Sequence, residues 1–281
     1  MGTMVGLVLL ITSLLMWAPA VKAATSWSAY AIDGAEFNYV SEAVWNTAHN
    51  APVGNDFFDD DIYVGTDKIG GDFSIYSSGI AFPTASIPDD ATIESAYIRF
   101  YRTDVDYLDN PPASLVVVNG DDLATPFNAN DYGDLLTKTV SGGSLALDPT
   151  AGGTNTVAFL TLNATGIGWI DATGNTVFGL RLDQDIGNTA PVNNGDANLV
   201  YYWCDDLAGG DLSYQPLLVV NYTAPSSGDG LITAIMPIVL ATSAILIIMG
   251  AWKGNVTIFV SGVVGALLTY IIGMAVLGTI G

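Results

Sequence analysis

Apolar and polar positions divide this chain into three regimes. Val5 to Met16 is a short apolar run broken only by Thr12 and Ser13, residues 24 to 223 alternate short β-rich runs with clusters of Gly, Asn, Asp and Pro, and two long apolar segments follow, Leu231 to Ala251 and Val256 to Ile280. Each of these last two exceeds the ~20 residues that cross ~30 Å of hydrocarbon. Neither carries a charge, and apolar side chains all round a helix are what lipid requires and water forbids. The pattern predicts transmembrane helices over 231–251 and 256–280, joined as a hairpin by Trp252-Lys253-Gly254-Asn255.

In the middle regime the spacing of turn residues is that of an antiparallel β-sandwich. Strands are predicted at Asp61 to Val64, Asp72 to Phe82, Thr92 to Arg102, Ser114 to Val118, Thr156 to Leu162, Thr176 to Leu182, Ala197 to Cys204 and Leu217 to Tyr222. Period two along Thr92 to Arg102 puts Ala96, Ile98 and Phe100 on the core side and leaves Tyr97, Arg99 and Tyr101 as an outer stripe. A short helix, Ala164 to Ile170, is expected to bury Ile167 and Trp169, and the polar stretch 141–155 reads as one long connection. The body ends at Thr223, and Ala224-Pro225-Ser226-Ser227-Gly228-Asp229-Gly230 is a linker that reaches at most ~25 Å.

The N-terminal run is too short to span comfortably and ends in small residues, so residues 1–23 read as a signal peptide cleaved after Ala23. The segment before the run has no Lys or Arg, which leaves an uncleaved anchor as the alternative. Lys253 is the one basic residue after Arg181, and the positive-inside rule puts it in the cytoplasm and the body outside. The localisation expected is a cell membrane or viral envelope, with the lipid bilayer as the first partner.

Charge changes the picture of the body. The net charge is -21, and all 28 acidic residues lie between Asp33 and Asp229. A surface this acidic repels phosphate and excludes nucleic acid as a partner. Cys204 is the only cysteine, so no intramolecular disulfide forms and the core alone must hold the fold; a lone thiol of this kind is most often a small buried apolar group.

Chemistry is sparse. His49 is the only histidine and no Gly-x-Ser-x-Gly elbow is present, which disfavours a Ser-His-Asp hydrolase. Carboxylate pairs are uninformative among so many aspartates, and the chain reads as a non-enzyme. No cofactor is required. Asp59, Asp60 and Asp61, preceded by Asn55 and Asp56, are a candidate Ca²⁺ loop, against the plainer reading of a solvated acidic turn. Asp104, Asp106, Asp109, Asp205 and Asp206 share that ambiguity.

Flat aromatics on an exposed strand face stack on pyranose rings while nearby polar groups take the hydroxyls. Tyr101, Tyr107, Tyr201 and Trp203 are the candidates for binding a surface glycan. Tyr201 and Trp203 share one strand face, Tyr202 and Cys204 the other, so one of the two pairs must face the core. In the second apolar segment Ser261, Gly265, Thr269 and Gly273 recur every four residues, a small-residue seam that packs either against the first segment or against another copy in a homo-oligomer. Sequons occur at Asn163, Asn221 and Asn255.

Ser86-Ile87-Pro88-Asp89-Asp90-Ala91-Thr92-Ile93 with the strand that follows, Val177-Phe178-Gly179-Leu180-Arg181-Leu182-Asp183, and the closing run Tyr214-Gln215-Pro216-Leu217-Leu218-Val219-Val220-Asn221-Tyr222 resemble the DNRLRE, or disaggregatase-related, β-sandwich domains of extracellular and phage-associated proteins. The resemblance covers residues 57 to 223. It departs from the family before the final strand, where Gln215 and Leu217 replace basic residues. It implies a jelly-roll-like sandwich of the carbohydrate-binding-module type, non-catalytic and used for attachment. The function expected is therefore adhesion, glycan recognition or surface or virion structure by a membrane-anchored extracellular protein. An oligomeric structural subunit without a small ligand is the alternative, and a polysaccharide hydrolase the third.

Overall fold

The computed structural model describes residues 24–59, 61–107, 113–147, 156–203 and 214–224, with the single positions 244, 245, 247, 248 and 252; the side chains of residues 61, 103–107 and 203 are not described. The sheet belongs to one compact unit, Ala23–Ala224. Its strands are β1 (Ala24–Tyr30), β2 (Asp33–Glu42), β3 (Asp56–Asp59), β4 (Asp61–Ile69), β5 (Asp72–Pro83), β6 (Thr92–Tyr107), β7 (Ala113–Asn119), β8 (Gly143–Leu147), β9 (Thr156–Thr161), β10 (Asn175–Leu182), β11 (Ala197–Trp203) and β12 (Leu217–Thr223). Among the described residues of this unit four short helices interrupt them: α1 (Trp45–His49), α2 (Asp131–Leu136), α3 (Ala164–Ile167) and α4 (Asp183–Ile186).

The fold is mainly β and built on one large antiparallel sheet. Its path is β1-β12-β6-β11-β4-β5-β10-β7-β8, with β9 joined to β6, β2 to β5 and β3 to β2. Leu218 and Val220 of β12, Ile98 and Phe100 of β6 and Val200 of β11 share one core cluster with Phe82 of β5, Leu180 of β10 and Leu115 of β7. These strands come from opposite ends of the path, so the sheet folds over on itself and encloses this core. Each large side chain so buried contributes about 1.5–3 kcal/mol relative to exposure.

A second cluster lies on the other face of β2, β5 and β7. Phe37, Ile75, Val116 and Val118 are covered there by Trp45 and Ala48 of α1, Phe127, and Tyr132 and Leu135 of α2. Strands buried on both faces need apolar residues on both, which explains the unbroken buried run Leu115-Val116-Val117-Val118. Gly79 and Gly179 face each other across β5 and β10. A Cβ at Gly79 would come 2.6 Å from the Phe127 ring, and one at Gly179 2.2 Å from Leu135; the missing side chains let the covering layer sit directly on the sheet.

Several sequence expectations need correction. β1, β2 and β3 precede the first predicted strand, and β8 interrupts the stretch 141–155 that read as a connection. β6 continues beyond Arg102 to Tyr107 because β11 pairs with its far end. The helix at Ala164 stops at Ile167, although Ile167 and Trp169 do pack against the first core. Apart from the five single positions, both C-terminal apolar segments lie outside the described residues, as do Val5 to Met16, the linker beyond Ala224, Cys204 and the seam Ser261, Gly265, Thr269 and Gly273. Among the described residues no helix is long and apolar enough to cross a membrane.

Candidate functional site

Strand β6 positions the most conspicuous surface of the body. Ala96, Ile98 and Phe100 are at most 1% exposed, so alternation turns Tyr97, Arg99 and Tyr101 to the opposite, outer face. Neighbouring strands extend that face in register: Tyr30 of β1, Leu217 of β12, Arg99 of β6 and Phe159 of β9 form one row. Ser28, Val219, Tyr97 and Thr161 form the next. Tyr97 meets Phe159 edge-on at 5.7 Å, the Arg99 guanidinium lies 6.0 Å over Tyr30, and Tyr101 packs on Tyr214 at 4.4 Å. Phe159 is 55% exposed and Val157, opposite Tyr101, 49%. The result is an aromatic platform of mutually tilted rings with one cation in it.

An irregularity between Tyr201 and Tyr202, where Tyr202 pairs with Arg102 but Tyr201 with Asp104, carries the pairing onward. Beyond it Asp104, Tyr201 and Tyr63 are in register. The row continues through Ser78, whose hydroxyl donates to the Tyr63 carbonyl and accepts from the Tyr63 N–H, to Glu36 and Phe58. The adjacent row runs Asp106, Leu199, Gly65, Tyr76, Asn38 and Asp56. A Cβ at Gly65 would come 2.2 Å from the Asn198 carbonyl, so glycine is what lets β11 approach here.

This second region is aromatic and acidic. Tyr63 packs on Tyr76 at 4.7 Å and on Tyr201 at 5.8 Å, while Glu36, Asn38 and Asp67 are buried beside them. The Tyr76 hydroxyl donates to Asp67 Oδ2 at 3.2 Å. Burial first, and then the charge of Asp67, push the Tyr76 phenol up to about 12. Asn38 Nδ2 donates to Glu36 Oε1 at 2.6 Å.

Of the aromatics singled out from the sequence, Tyr101 and Tyr201 lie half-buried on this outer face, and Tyr202 takes the core side of β11 at 0% exposure. Tyr107 is in register with Asn198 and Trp203 with Asp61; their side chains are outside the described residues. Asp59 is exposed at the end of β3, and Asp60 and the side chain of Asp61 are not described. Among the described residues no group of three His, Cys, Asp or Glu is arranged to hold a metal ion. Sequence reading missed Tyr30, Tyr63, Tyr76, Phe159 and Tyr214; for Tyr63 and Tyr76 the signal was the period-two alternation of their own strands.

His49 has a partner far along the chain. Its Nδ1 lies 2.9 Å from Asp185 Oδ1, and Asp185 Oδ2 accepts from Arg181 Nε at 2.7 Å and pairs with Nη2 at 2.6 Å. Arg181 Nη1 donates to the carbonyls of Leu135, Leu136 and Lys138. The His49 ring stacks on Trp45, whose Nε1 donates to Asn188 Oδ1. Asn188 tolerates the left-handed backbone, φ 50°, that places it there. Among the described residues none of the hydrogen bonds of His49 goes to Ser, Thr or Cys. The network ties α1, α2 and α4 to the sheet and has the form of a buried strut. Comparison with protein-family models and with curated proteins found no match for this chain.

Proposed function

We propose that this chain is a membrane-anchored exported protein whose body is a jelly-roll-like β-sandwich that recognises a glycan without catalysis. The row Tyr30, Leu217, Arg99 and Phe159, with Tyr97 beside it, carries the reading. Rings carried on sheet strands stack on pyranose faces with little entropy to lose, and Arg99 and the tyrosine hydroxyls offer polar contacts to sugar hydroxyls. The two uncharged apolar segments after Gly230, with Lys253 the one charge between them, support anchoring with the body outside by the positive-inside rule.

A structural subunit is the second reading, favoured by the exposure of Phe159 and Val157, which a second copy could cover. A glycan array probed with the full chain in lipid nanodiscs separates the two. Recognition predicts retained glycans that are lost in Tyr97→Ala and Phe159→Ala while the melting curve is kept. No retained glycan, together with a single large oligomer in mild detergent, would leave the structural reading standing.

A further inference from the structure

We propose that the acidic end of the outer face, around Tyr63, Tyr76 and Tyr201, binds a primary ammonium group. This site is separate from the Tyr97 platform and does not depend on glycan recognition there. Tyr63 touches both Tyr76 and Tyr201, and ring faces attract cations. Directly beside them in register stand Glu36 and Asn38, with Asp67 reached through the Tyr76 hydroxyl. The acceptor set is incompletely used: Asn38 is 1% exposed, its Nδ2 is committed to Glu36, and its Oδ1 has no hydrogen-bond partner.

A buried amide oxygen without a donor costs free energy that a ligand supplying N–H groups recovers. Primary ammonium has three donors and no acceptor, which suits a cluster of amide and carboxylate oxygens. A quaternary ammonium would engage the rings but not these oxygens, and a neutral alcohol would bring no charge to the acidic field. The local field is negative: after burial, the charges of Asp67 and Glu36 contribute to raising the Tyr76 phenol. The net charge of -21 also draws cations toward the body. Amino sugars and lysine side chains both present the required group.

Saturation-transfer NMR on the full chain in detergent, with n-butylammonium, 1-butanol and tetramethylammonium as probes, tests the site. Butylammonium is expected to give a saturable signal that weakens as salt is added, at least ~10-fold stronger than either control, the factor expected from losing a charge-assisted bond. Asp67→Asn and Tyr201→Ala should each abolish that preference, and Tyr97→Ala should leave it intact. If Asp67→Asn does not melt cooperatively, Tyr201→Ala alone decides. Glucosamine against N-acetylglucosamine, and Nα-acetyl-lysine methyl ester against its Nα,Nε-diacetyl form, identify the source of the amine. Equal signals from butylammonium and 1-butanol, no saturation by butylammonium, or wild-type binding by Tyr201→Ala would each overturn the proposal.

Discussion

Arg181 shows how much a single residue can hold and how little of that is visible in sequence. It is 1% exposed, and its charge is met by Asp185 four positions on, while His49 meets the other Asp185 oxygen from 136 residues away. Period and spacing mark Arg181 as part of a strand and His49 as a lone base; nothing in them encodes a contact that only the packing of α1 against α4 creates. Breaking a buried pair leaves an uncompensated charge, so Arg181→Ala should cost about 3–5 kcal/mol in urea denaturation. His49→Ala should cost only ~1 kcal/mol. A loss within the error of wild type for Arg181→Ala would remove the strut from the account. Lys138 gives a pH prediction. Its hydrogen bond to Asp121 holds that carboxyl low, so the pair's share of stability is present above the ordinary aspartate range of ~3.9 and is lost as pH falls through the lowered value. With Asp121 at 64% side-chain exposure the share is small, and NMR titration is the right readout: Lys138→Met should move the Asp121 midpoint upward.

Elements were legible where alternation separates water from core. β6 is the clear case, because Ala96, Ile98 and Phe100 are apolar and buried while Tyr97, Arg99 and Tyr101 are amphipathic and half-buried. β2 is the opposite case. It alternates Ala35 and Phe37 with Glu36 and Asn38, yet all four are buried, so a polar position there does not signal solvent and the strand escapes a pattern search. β8 hides for another reason: five residues set among glycines and serines resemble a loop until β7 pairs with them. Of the candidate site, the outer stripe of β6 was readable, but not its partners from β1, β9 and β12, which are set by strand order. At α3, Asn163 Oδ1 accepts from the N–H groups of Thr165 and Gly166 while its Nδ2 donates to Ser141. Loss of this cap in Asn163→Ala should cost about 1 kcal/mol, read as a lower melting temperature.

At the scale of the whole molecule, charge and hydropathy place acidic residues, strands and the aromatic face in one part of the chain and uncharged apolar segments in another. That division is written in the sequence itself, because an uncharged apolar segment and a strand that alternates answer to different solvents. Less legible was that the outer face carries two chemistries, a platform around Arg99 and an acidic tyrosine cluster around Tyr76. Both matter only if, as proposed, the body faces outward from a membrane anchor. Limited proteolysis of intact cells or particles tests that claim most directly. The account predicts that residues 24 to 224 are accessible and digested while a C-terminal fragment containing Leu231 to Ile280 survives until detergent is added. Complete digestion without detergent, or a body protected until the membrane is opened, would contradict it.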